Sequence, residues 1–241
     1  MSTEASTNLI EVRDLNLTLA KRRVLNIESV VIRRGEIIML AGNNGSGKTT
    51  LLKIIAGLIR APEAHFRCLG SPMNGEQAAA FCRGRHVYLH QTPYMFDGSV
   101  EDNVAYGLKQ RGRDFAQRRI EIRDALAWAE LEHLVHRHAH ELSTGEKQRV
   151  ALTRARILAP SLLLLDEITA NMDSISRRRT YEMVADFKRA GSTVVFATHD
   201  HEPLEAIADV RLELSKGKLA PTDRRAAAVI PLRRDSSIHE S

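Results

Sequence analysis

The chain has 241 residues, of which 43% are hydrophobic and 27% charged, and its formal net charge is +5. This length and balance are typical of one soluble globular domain, with or without a subdomain, and no stretch approaches the roughly 18 consecutive apolar residues of a membrane-spanning helix. The basic residues are scattered or fall in helix-like segments, so the composition does not favour a nucleic-acid-binding protein.

The first part of the chain alternates strand-like and helix-like segments. Leu9–Leu19 and Val24–Ile32 are predicted strands, and the apolar run Ile37–Ala41 is predicted to be a buried one. A glycine-rich loop and a helix-like run, Leu51–Ala56, follow. Three further segments have shorter patterns, and they predict a strand at Ala64–Leu69, a helix at Gly75–Cys82 and a strand at His86–His90.

The middle of the chain changes character. After the turn-rich stretch Thr92–Gly98, helical patterns predominate until Pro160. The predicted helices of this region are Ser99–Gln110, Asp114–Glu130, Leu131–Val135 and Ser143–Leu158. An all-helical stretch of this length, between segments rich in strands, is expected to form a separate lobe at about residues 93–159.

Strand character then returns. Leu162–Leu165 and Ser192–Ala197 are predicted buried strands, and the remaining segments predict helices at Ser174–Ala190 and Glu202–Ala208 and a hairpin of Val210–Leu214 with Lys218–Leu219. Alternating buried strands and helices predict an α/β fold with a mainly parallel sheet. We predict a single domain over residues 1–241, with a core at about 9–92 and 160–219 and a loosely ordered tail at 220–241.

Residues 42–50 form the strongest motif. They fit G-x-x-x-x-G-K-[ST], with Gly42, Gly47, Lys48 and Thr49 at the required positions between a predicted strand and a predicted helix. Glycines let the backbone N–H groups wrap a phosphate at a helix N-terminus. Lys48 is expected to reach the β- and γ-phosphates and the Thr49 hydroxyl to hold Mg²⁺. The other residues of this predicted nucleotide-binding loop are Asn43, Asn44, Gly45, Ser46 and Thr50; the alternative is a glycine-rich turn without a ligand.

Two other segments bear on the same chemistry. Asp166 and Glu167 end a predicted buried strand, so Asp166 is a candidate Mg²⁺ ligand and Glu167 a candidate base for an attacking water; the alternative is two exposed acids. Ser143 and Glu146 fit a capping box. Yet the Ser143 hydroxyl and the Gly145 amide, at a helix N-terminus, also offer a second anion-binding end.

The order of these motifs resembles that of ATP-binding cassette (ABC) ATPases. The resemblance covers Leu9 to Leu219 and rests on Walker A at Gly42–Thr49, the Q-loop at Gln91, the signature at Leu142–Glu146, Walker B at Leu162–Glu167, the D-loop at Asp173 and the H-loop at His199. It implies a P-loop NTPase core with an N-terminal antiparallel β portion and an inserted α-helical subdomain. It also implies a head-to-tail homodimer, with ATP and Mg²⁺ between the phosphate loop of one copy and the signature of the other.

The resemblance assigns each matched residue a role. Ser143 and Gly145 would contact the γ-phosphate bound by the partner copy, and Asp173 would contact that copy across the interface. Gln91 would touch Mg²⁺ and the attacking water, and His199 would hydrogen-bond the γ-phosphate.

Four positions depart from the family pattern. Thr144 and Glu146 replace a glycine and a glutamine of the usual signature, which is expected to weaken dimer closure, and Ile168 replaces a proline after Glu167. Leu19 falls where most members stack an aromatic residue on adenine, which predicts weak discrimination between ATP and GTP.

The segment Phe96–Leu108 is similar to the corresponding segment in ATPase subunits of bacterial importers, most of all those for tungstate, molybdate and phosphate. In that family it forms the groove for a coupling helix of the membrane subunit, and the aromatic residues Tyr94 and Phe96 favour a partner surface.

The resemblance therefore implies an ATPase subunit peripheral to the cytoplasmic face of the inner membrane. Its partners would be membrane permease subunits and a separate substrate-binding protein, not nucleic acid. Two alternatives remain: a soluble ABC protein acting on ribosomes or DNA, and a regulatory, catalytically poor cassette.

Overall fold

A computed structural model of the chain describes residues 7–109, 115–199, 205–220 and 223–224. The strands in these ranges are β1 (Asn8–Leu19), β2 (Arg22–Arg33), β3 (Ile37–Ala41), β4 (His65–Cys68), β5 (Ser71–Asn74), β6 (His86–Leu89), β7 (Leu162–Asp166), β8 (Thr193–Thr198), β9 (Val210–Ser215), β10 (Lys218–Leu219) and β11 (Asp223–Arg224). The α-helices are α1 (Lys48–Ile55), α2 (Gly75–Cys82), α3 (Val100–Lys109), α4 (Phe115–Trp128), α5 (Thr144–Leu158) and α6 (Ser174–Arg189).

The larger sheet is mainly parallel. Its strand order is β10-β9-β3-β8-β7-β6, with β9, β3, β8, β7 and β6 parallel and with β10 and β11 antiparallel to β9. Every residue of β3, β7 and β8 is buried, as continuous apolar runs in a covered parallel sheet require. Because the strands are parallel, the segments that follow their carboxyl ends meet along one edge of the sheet.

The smaller sheet is antiparallel and has the order β2-β1-β4-β5. β1 and β2 form a hairpin whose two turn residues, Ala20 and Lys21, both have positive φ (45° and 64°), as a two-residue turn matched to strand twist needs. The ladder shifts register between Leu17 and Thr18. This sheet is the antiparallel portion that the sequence predicted.

The helices of the middle region pack as one lobe against one face of the parallel sheet. Ile37 and Met39 share a core with residues of α3 to α6, whereas Ile38 and Leu40 share a second core with α1, α2 and the antiparallel sheet. At the end of α4, the Trp128 indole N–H donates to Asp186 of α6 at 2.6 Å. The helical lobe is thereby fixed to the helix that follows β7.

The observed fold confirms the predicted α/β class, the mainly parallel sheet, the antiparallel portion and the helical segment. Leu131–Val135 contains a 3₁₀ turn at Glu132–Leu134 rather than an α-helix, and a second such turn spans Ala139–Glu141. Strand β5 was not predicted, because Ser-Pro-Met-Asn has no apolar alternation. The domain boundaries stay a prediction.

Two predictions fall partly or wholly outside the described residues. The predicted helix Glu202–Ala208 has only 205–208 described, with helical structure at Glu205. In the predicted tail, Asp223–Arg224 pairs with β9, and most of the other positions lie outside the described residues. Among the helices that the described ranges contain, none has the length and apolarity to cross a membrane.

Candidate functional site

The loop between β3 and α1 is shaped by three glycines with positive φ. Gly42, Gly45 and Gly47 have φ of 145°, 76° and 111°, values that L side chains adopt poorly. At Gly47 a Cβ would also lie 2.7 Å from Leu25 Cδ2 and 3.2 Å from the carbonyl oxygen of Val24. The loop thus turns into α1 with its backbone pressed against β2.

Lys48 is buried beneath this loop and faces an acid. It is 4% exposed, and its Nζ donates to the carbonyl oxygen of Gly42 at 2.7 Å and contacts Glu167 Oε1 at 3.2 Å. The other oxygen of Glu167 lies 3.5 Å from His199 Nδ1. A basic, an acidic and an imidazole side chain, from the segments that follow β3, β7 and β8, therefore meet at the edge of the sheet.

The carboxylate of Asp166, at the end of β7, is buried, and one of its two oxygens accepts a hydrogen bond. Its Oδ2 accepts a hydrogen bond from the Tyr88 hydroxyl at 2.8 Å, while Oδ1 has no hydrogen-bond partner among the described residues. Burial, together with the bond to Asp166, raises the pKa of Tyr88, so the phenol stays protonated and keeps donating. One acidic oxygen thus remains available to a ligand.

Gln91 follows β6 and connects two parts of the molecule. It lines the cleft above the phosphate loop, and its carbonyl oxygen accepts a 2.7 Å hydrogen bond from the side chain of Gln148, a fully buried residue of α5. The position of Gln91 is therefore tied to the helix that begins at the signature.

The signature forms the capping box that its sequence allows. The Glu146 N–H donates to Ser143 Oγ at 3.3 Å, and the Ser143 N–H donates to Glu146 Oε2 at 2.7 Å. Burial of Glu146 opposes its ionisation, but the two Ser143 hydrogen bonds and nearby arginines outweigh burial and lower its pKa. A carboxylate charge accordingly occupies the N-terminus of α5 at neutral pH.

Gly145 lies directly on the start of α6. A Cβ at Gly145 would come 2.8 Å from Ser176 Oγ and 3.0 Å from Ser176 Cβ. Ser176 in turn donates to both oxygens of Asp173, from its N–H at 2.8 Å and its hydroxyl at 2.7 Å. These bonds lower the pKa of Asp173, which serves as the N-cap of α6 within its own chain. The predicted partner contact of Asp173 stays a prediction.

One cleft of about 1130 Å³ gathers most of the predicted site. It is lined by predicted site residues from the phosphate loop and three strand ends, namely Asn43, Asn44, Gly45, Ser46, Gly47, Lys48, Thr49, Thr50, Gln91, Asp166, Glu167 and His199. Gly42, whose carbonyl oxygen accepts from Lys48 beneath the loop, does not line the cleft, and neither do Ser143, Gly145 and Asp173. Within the chain, the signature and the phosphate loop thus belong to separate surfaces.

A Mg²⁺ ion fits the donors that the cleft presents. Thr49, Gln91 and Asp166 all line it, and the buried Asp166 Oδ1 has no hydrogen-bond partner in the described part of the chain. No group of three or more His, Cys, Asp and Glu side chains in the described ranges is placed to hold a metal. Magnesium commonly takes only one or two carboxylates and completes its shell with water and substrate phosphate oxygens.

A second surface feature is a group of neighbouring aromatic side chains. Tyr94 is 73% exposed, Phe96 is half-buried, and the exposed Tyr106 stacks on Phe96 with ring centroids 4.1 Å apart. Arg154 of α5 donates to the carbonyl oxygen of Tyr94 at 2.6 Å. The segment that follows Gln91 thus presents aromatic rings fixed to α5.

Comparison with known protein families shows to which family the chain belongs. The ABC transporter family matches residues 25–170, more than half of the chain. The chain belongs to the ABC transporter family. The matched range contains the phosphate loop, the signature and the Asp166–Glu167 pair.

Named ABC relatives are importer ATP-binding proteins. The chain is 32% identical over 220 residues to the Fe(3+) ions import ATP-binding protein FbpC of Mannheimia succiniciproducens, covering 90% of this chain and 62% of that protein. It is 34% identical over 221 residues to the sulfate/thiosulfate import ATP-binding protein CysA of Escherichia coli strain K12, covering 89% and 60%. The chain thus spans about three fifths of the length of these relatives.

Solved ABC structures match the fold. CbiO1 from Clostridium perfringens, described as part of the ABC transporter complex cbiONQ, superposes with a TM-score of 0.82 at 24% identity, covering 91% of this chain and 89% of that one. At that identity the match shows the fold alone, and it agrees with the P-loop ABC architecture predicted from the motif order.

Sequence reasoning missed several residues of the site. Tyr88 lies in the alternating pattern of β6, which does not mark it as a site residue, because its bond to Asp166 depends on β6 pairing with β7. Ser176 and Gln148 carried no motif, and they become visible only through their contacts with Gly145 and Gln91. Arg22 and Arg23 also line the cleft, and they belong to none of the motifs in the sequence.

Proposed function

We propose that this ABC-family chain binds and hydrolyses MgATP and that it energises a membrane importer. The observation that carries the proposal is the meeting of Lys48, Glu167 and His199 at the phosphate loop, with distances of 3.2 and 3.5 Å. The ammonium group of Lys48 can bind the terminal phosphates, and the carboxylate of Glu167 can orient and deprotonate the attacking water. The imidazole of His199 can hydrogen-bond the γ-phosphate.

The chain's own residues divide the work of hydrolysis. The N–H groups of the loop and the N-terminus of α1 hold the phosphates. Lys48 leaves Glu167 for the phosphate oxygens, which frees Glu167 to orient and deprotonate a water. His199, already beside Glu167, contacts the γ-phosphate. Mg²⁺, held by Thr49, Asp166 and Gln91, would neutralise phosphate charge.

A homodimer would complete the site. Ser143 and Gly145 lie outside the cleft of their own chain, yet they place a hydroxyl and a backbone N–H at the N-terminus of α5, which suits the γ-phosphate bound by a second copy. Asp173, adjacent to them through Ser176, would lie at the same interface. The two nucleotides would then be enclosed between head-to-tail copies.

Import is supported by the relatives and by the aromatic surface. The named relatives import Fe(3+) or sulfate and thiosulfate, and Tyr94, Phe96 and Tyr106 offer a rigid surface for a coupling helix of membrane permease subunits. The chain would then lie at the cytoplasmic face of the inner membrane and act with a separate binding protein. The cargo is proposed to be a small inorganic ion; the sequence prediction of tungstate, molybdate or phosphate is a narrower proposal within that class.

The catalytic proposal is tested by Glu167→Gln. We expect ATP hydrolysis to fall on the order of 10²- to 10⁴-fold, the usual contribution of a general base, while ATP still binds. Glu63→Gln, an exposed acid outside the cleft, is the control and should hydrolyse at the wild-type rate. Equal rates for wild type and Glu167→Gln would refute the role of Glu167.

A regulatory, catalytically poor cassette is the second candidate. The observation in its favour is the Glu146 carboxylate at the N-terminus of α5, where the partner's γ-phosphate would bind. Equally slow hydrolysis by wild type and Glu167→Gln, with ATP bound by both, would favour this candidate.

A further inference from the structure

Two arginines line the outer end of the proposed nucleotide cleft. Arg22 and Arg23 are exposed residues at the start of β2, and both line the cleft together with Lys216. Within the described residues, neither guanidinium has a hydrogen-bond or ion-pair partner. Free guanidinium groups in a cleft are available to a ligand.

The geometry of the loop identifies this end as the one for the base. Val24 and Leu25 lie beneath Gly47, and the Gly217 N–H donates to the carbonyl oxygen of Ser46 at 3.0 Å. In the parallel sheet β9 and β7 lie on opposite sides of β3, and the Asn26 N–H of β2 donates to the carbonyl oxygen of Gly217 at 2.7 Å, so β2 and the β9–β10 turn are on the side of the loop away from Glu167. A nucleotide with its last phosphate between Lys48 and Glu167 would therefore extend its base toward Arg22 and Arg23.

The structure changes which residues are near the base. Leu19, expected from the sequence to contact it, is 43% exposed and is not among the cleft-lining residues. The register shift between β1 and β2 falls beside Val24, where Leu17 pairs with Leu25 and Thr18 with Arg23. Neighbouring residues of a regular strand point to opposite faces. Because a bulge re-aims side chains, Arg22 and Arg23 can both line the cleft.

Guanidinium groups favour one purine over the other. They donate hydrogen bonds and accept none, and a purine ring can also stack on their planar face. Val24, which follows Arg23 on β2, and Ser215 and Lys216 at the β9–β10 turn also line the cleft and carry no carboxylate or amide side chain. Guanine presents two adjacent acceptors, O6 and N7, whereas adenine presents N7 beside an amino donor.

We propose that Arg22 and Arg23 form the base-recognition contact of the cleft and that the chain consequently binds guanine nucleotides at least as tightly as adenine nucleotides. This rests on the proposed function, which requires that the cleft bind a nucleotide at all. In this proposal the base is not contacted by Leu19, whose apolar side chain would not distinguish guanine from adenine. It is contacted by the two guanidinium groups, which can donate hydrogen bonds to O6 and N7 of guanine.

Isothermal titration calorimetry with ADP, GDP and inorganic pyrophosphate tests the proposal. These ligands are used because the chain is not expected to hydrolyse them during the measurement, as it would ATP. Wild type should bind GDP at least as tightly as ADP. Arg22→Ala/Arg23→Ala should weaken both nucleotides by on the order of 5- to 30-fold, and GDP more than ADP. Its affinity for pyrophosphate should stay within about twofold of wild type, because pyrophosphate has no base.

Two further variants separate charge from geometry. Lys21→Asn removes a neighbouring positive charge outside the cleft lining, and asparagine tolerates the φ of 64° at that position; its nucleotide affinities should equal those of wild type. Arg22→Lys/Arg23→Lys keeps the charge and loses the planar fork, so its affinity for GDP relative to that for ADP should be lower than in wild type.

Three results would overturn the proposal: ADP binding more than about threefold tighter than GDP, an alanine double variant that binds nucleotides like wild type, or equal losses for nucleotides and pyrophosphate. If the proposed function itself were wrong, the result would be different, because wild type would then bind neither the nucleotides nor pyrophosphate.

Discussion

Glu146 is the residue whose charge bears most directly on how two copies close around a nucleotide. Its carboxylate accepts the Ser143 N–H at 2.7 Å, and Arg137 and Arg149 help to keep it ionised by lowering its pKa. The cap stabilises α5 through the helix dipole. The same charge would repel the γ-phosphate that Ser143 is proposed to contact, so the cap stabilises the free chain more than the closed dimer.

Replacing Glu146 with glutamine should therefore favour closure. Glutamine can keep the capping box but removes the charge, and we expect a gain of about 1 kcal/mol, or about fivefold in the dissociation constant of the ATP-bound dimer. The measurement is a dilution series in saturating MgATP that compares Glu167→Gln with Glu146→Gln/Glu167→Gln.

The matched control for this charge change is Glu141→Gln. Glu141 is an exposed acid that lies close to the signature and pairs with Arg137 at 3.6 Å, but it takes no part in the cap. Its variant should leave the dissociation constant unchanged. The same gain from Glu141→Gln would mean that net charge, rather than the cap, controls closure.

Single motifs were predictable from the sequence because their chemistry is local. The phosphate loop and the Asp166–Glu167 pair each occupy a few consecutive residues, and the structure places them in one cleft. Tyr88 and Arg23 were not predictable as site residues, because their positions depend on strand pairing and on a register shift. Neither the strand pairing nor the register shift can be recognised from a local pattern in a single sequence.

Strand β6 and helix α1 are joined through a partly buried polar contact that contains a titratable group. His86 Nδ1 lies 3.0 Å from the carbonyl oxygen of Ile55, at the end of α1. Burial lowers the pKa of His86 below its ordinary 6.5, and the charge of Arg85 acts in the same direction, while the bond to Ile55 opposes them. The neutral imidazole is thus the form that fits between the two elements.

This contact predicts a loss of stability in acid. A histidine whose pKa is lower folded than unfolded binds its proton more readily in the unfolded chain, so stability is full above about pH 6.5 and falls as the pH drops below it. The free energy of unfolding of His86→Gln, followed by urea titration from pH 7.5 to 5, should fall less steeply with acidification than that of wild type.

His133→Gln controls for the removal of one imidazole, since His133 is exposed on the helical lobe. A His86→Gln profile parallel to that of wild type across this pH range would show that the junction of β6 and α1 does not sense protonation.

Elements were predicted best where their pattern was long or continuous. The runs of β3, β7 and β8 are wholly apolar or nearly so, and α5 and α6 have clear caps. The short β5 and the 3₁₀ turns have no comparable pattern. Their conformations follow from packing between neighbouring elements, which propensity alone does not determine.

The molecule as a whole presents two separated halves of one proposed site. The ends of β3, β6, β7 and β8 bring the phosphate loop, Gln91, Asp166, Glu167 and His199 to one cleft. Ser143 and Gly145 lie on a different surface of the same chain, packed on the start of α6. Two copies in a head-to-tail arrangement would supply both halves to each nucleotide, and hydrolysis would separate them again.

The central claim is that ATP draws two copies together, and the solution molar mass of Glu146→Gln/Glu167→Gln tests it most directly. This variant is expected to retain ATP without hydrolysing it and lacks the repelling charge at the cap. Light scattering after size exclusion should give twice the 26.9 kDa of one chain in MgATP and 26.9 kDa in MgADP. A mass of one chain in both nucleotides, with ATP binding verified, would contradict the claim.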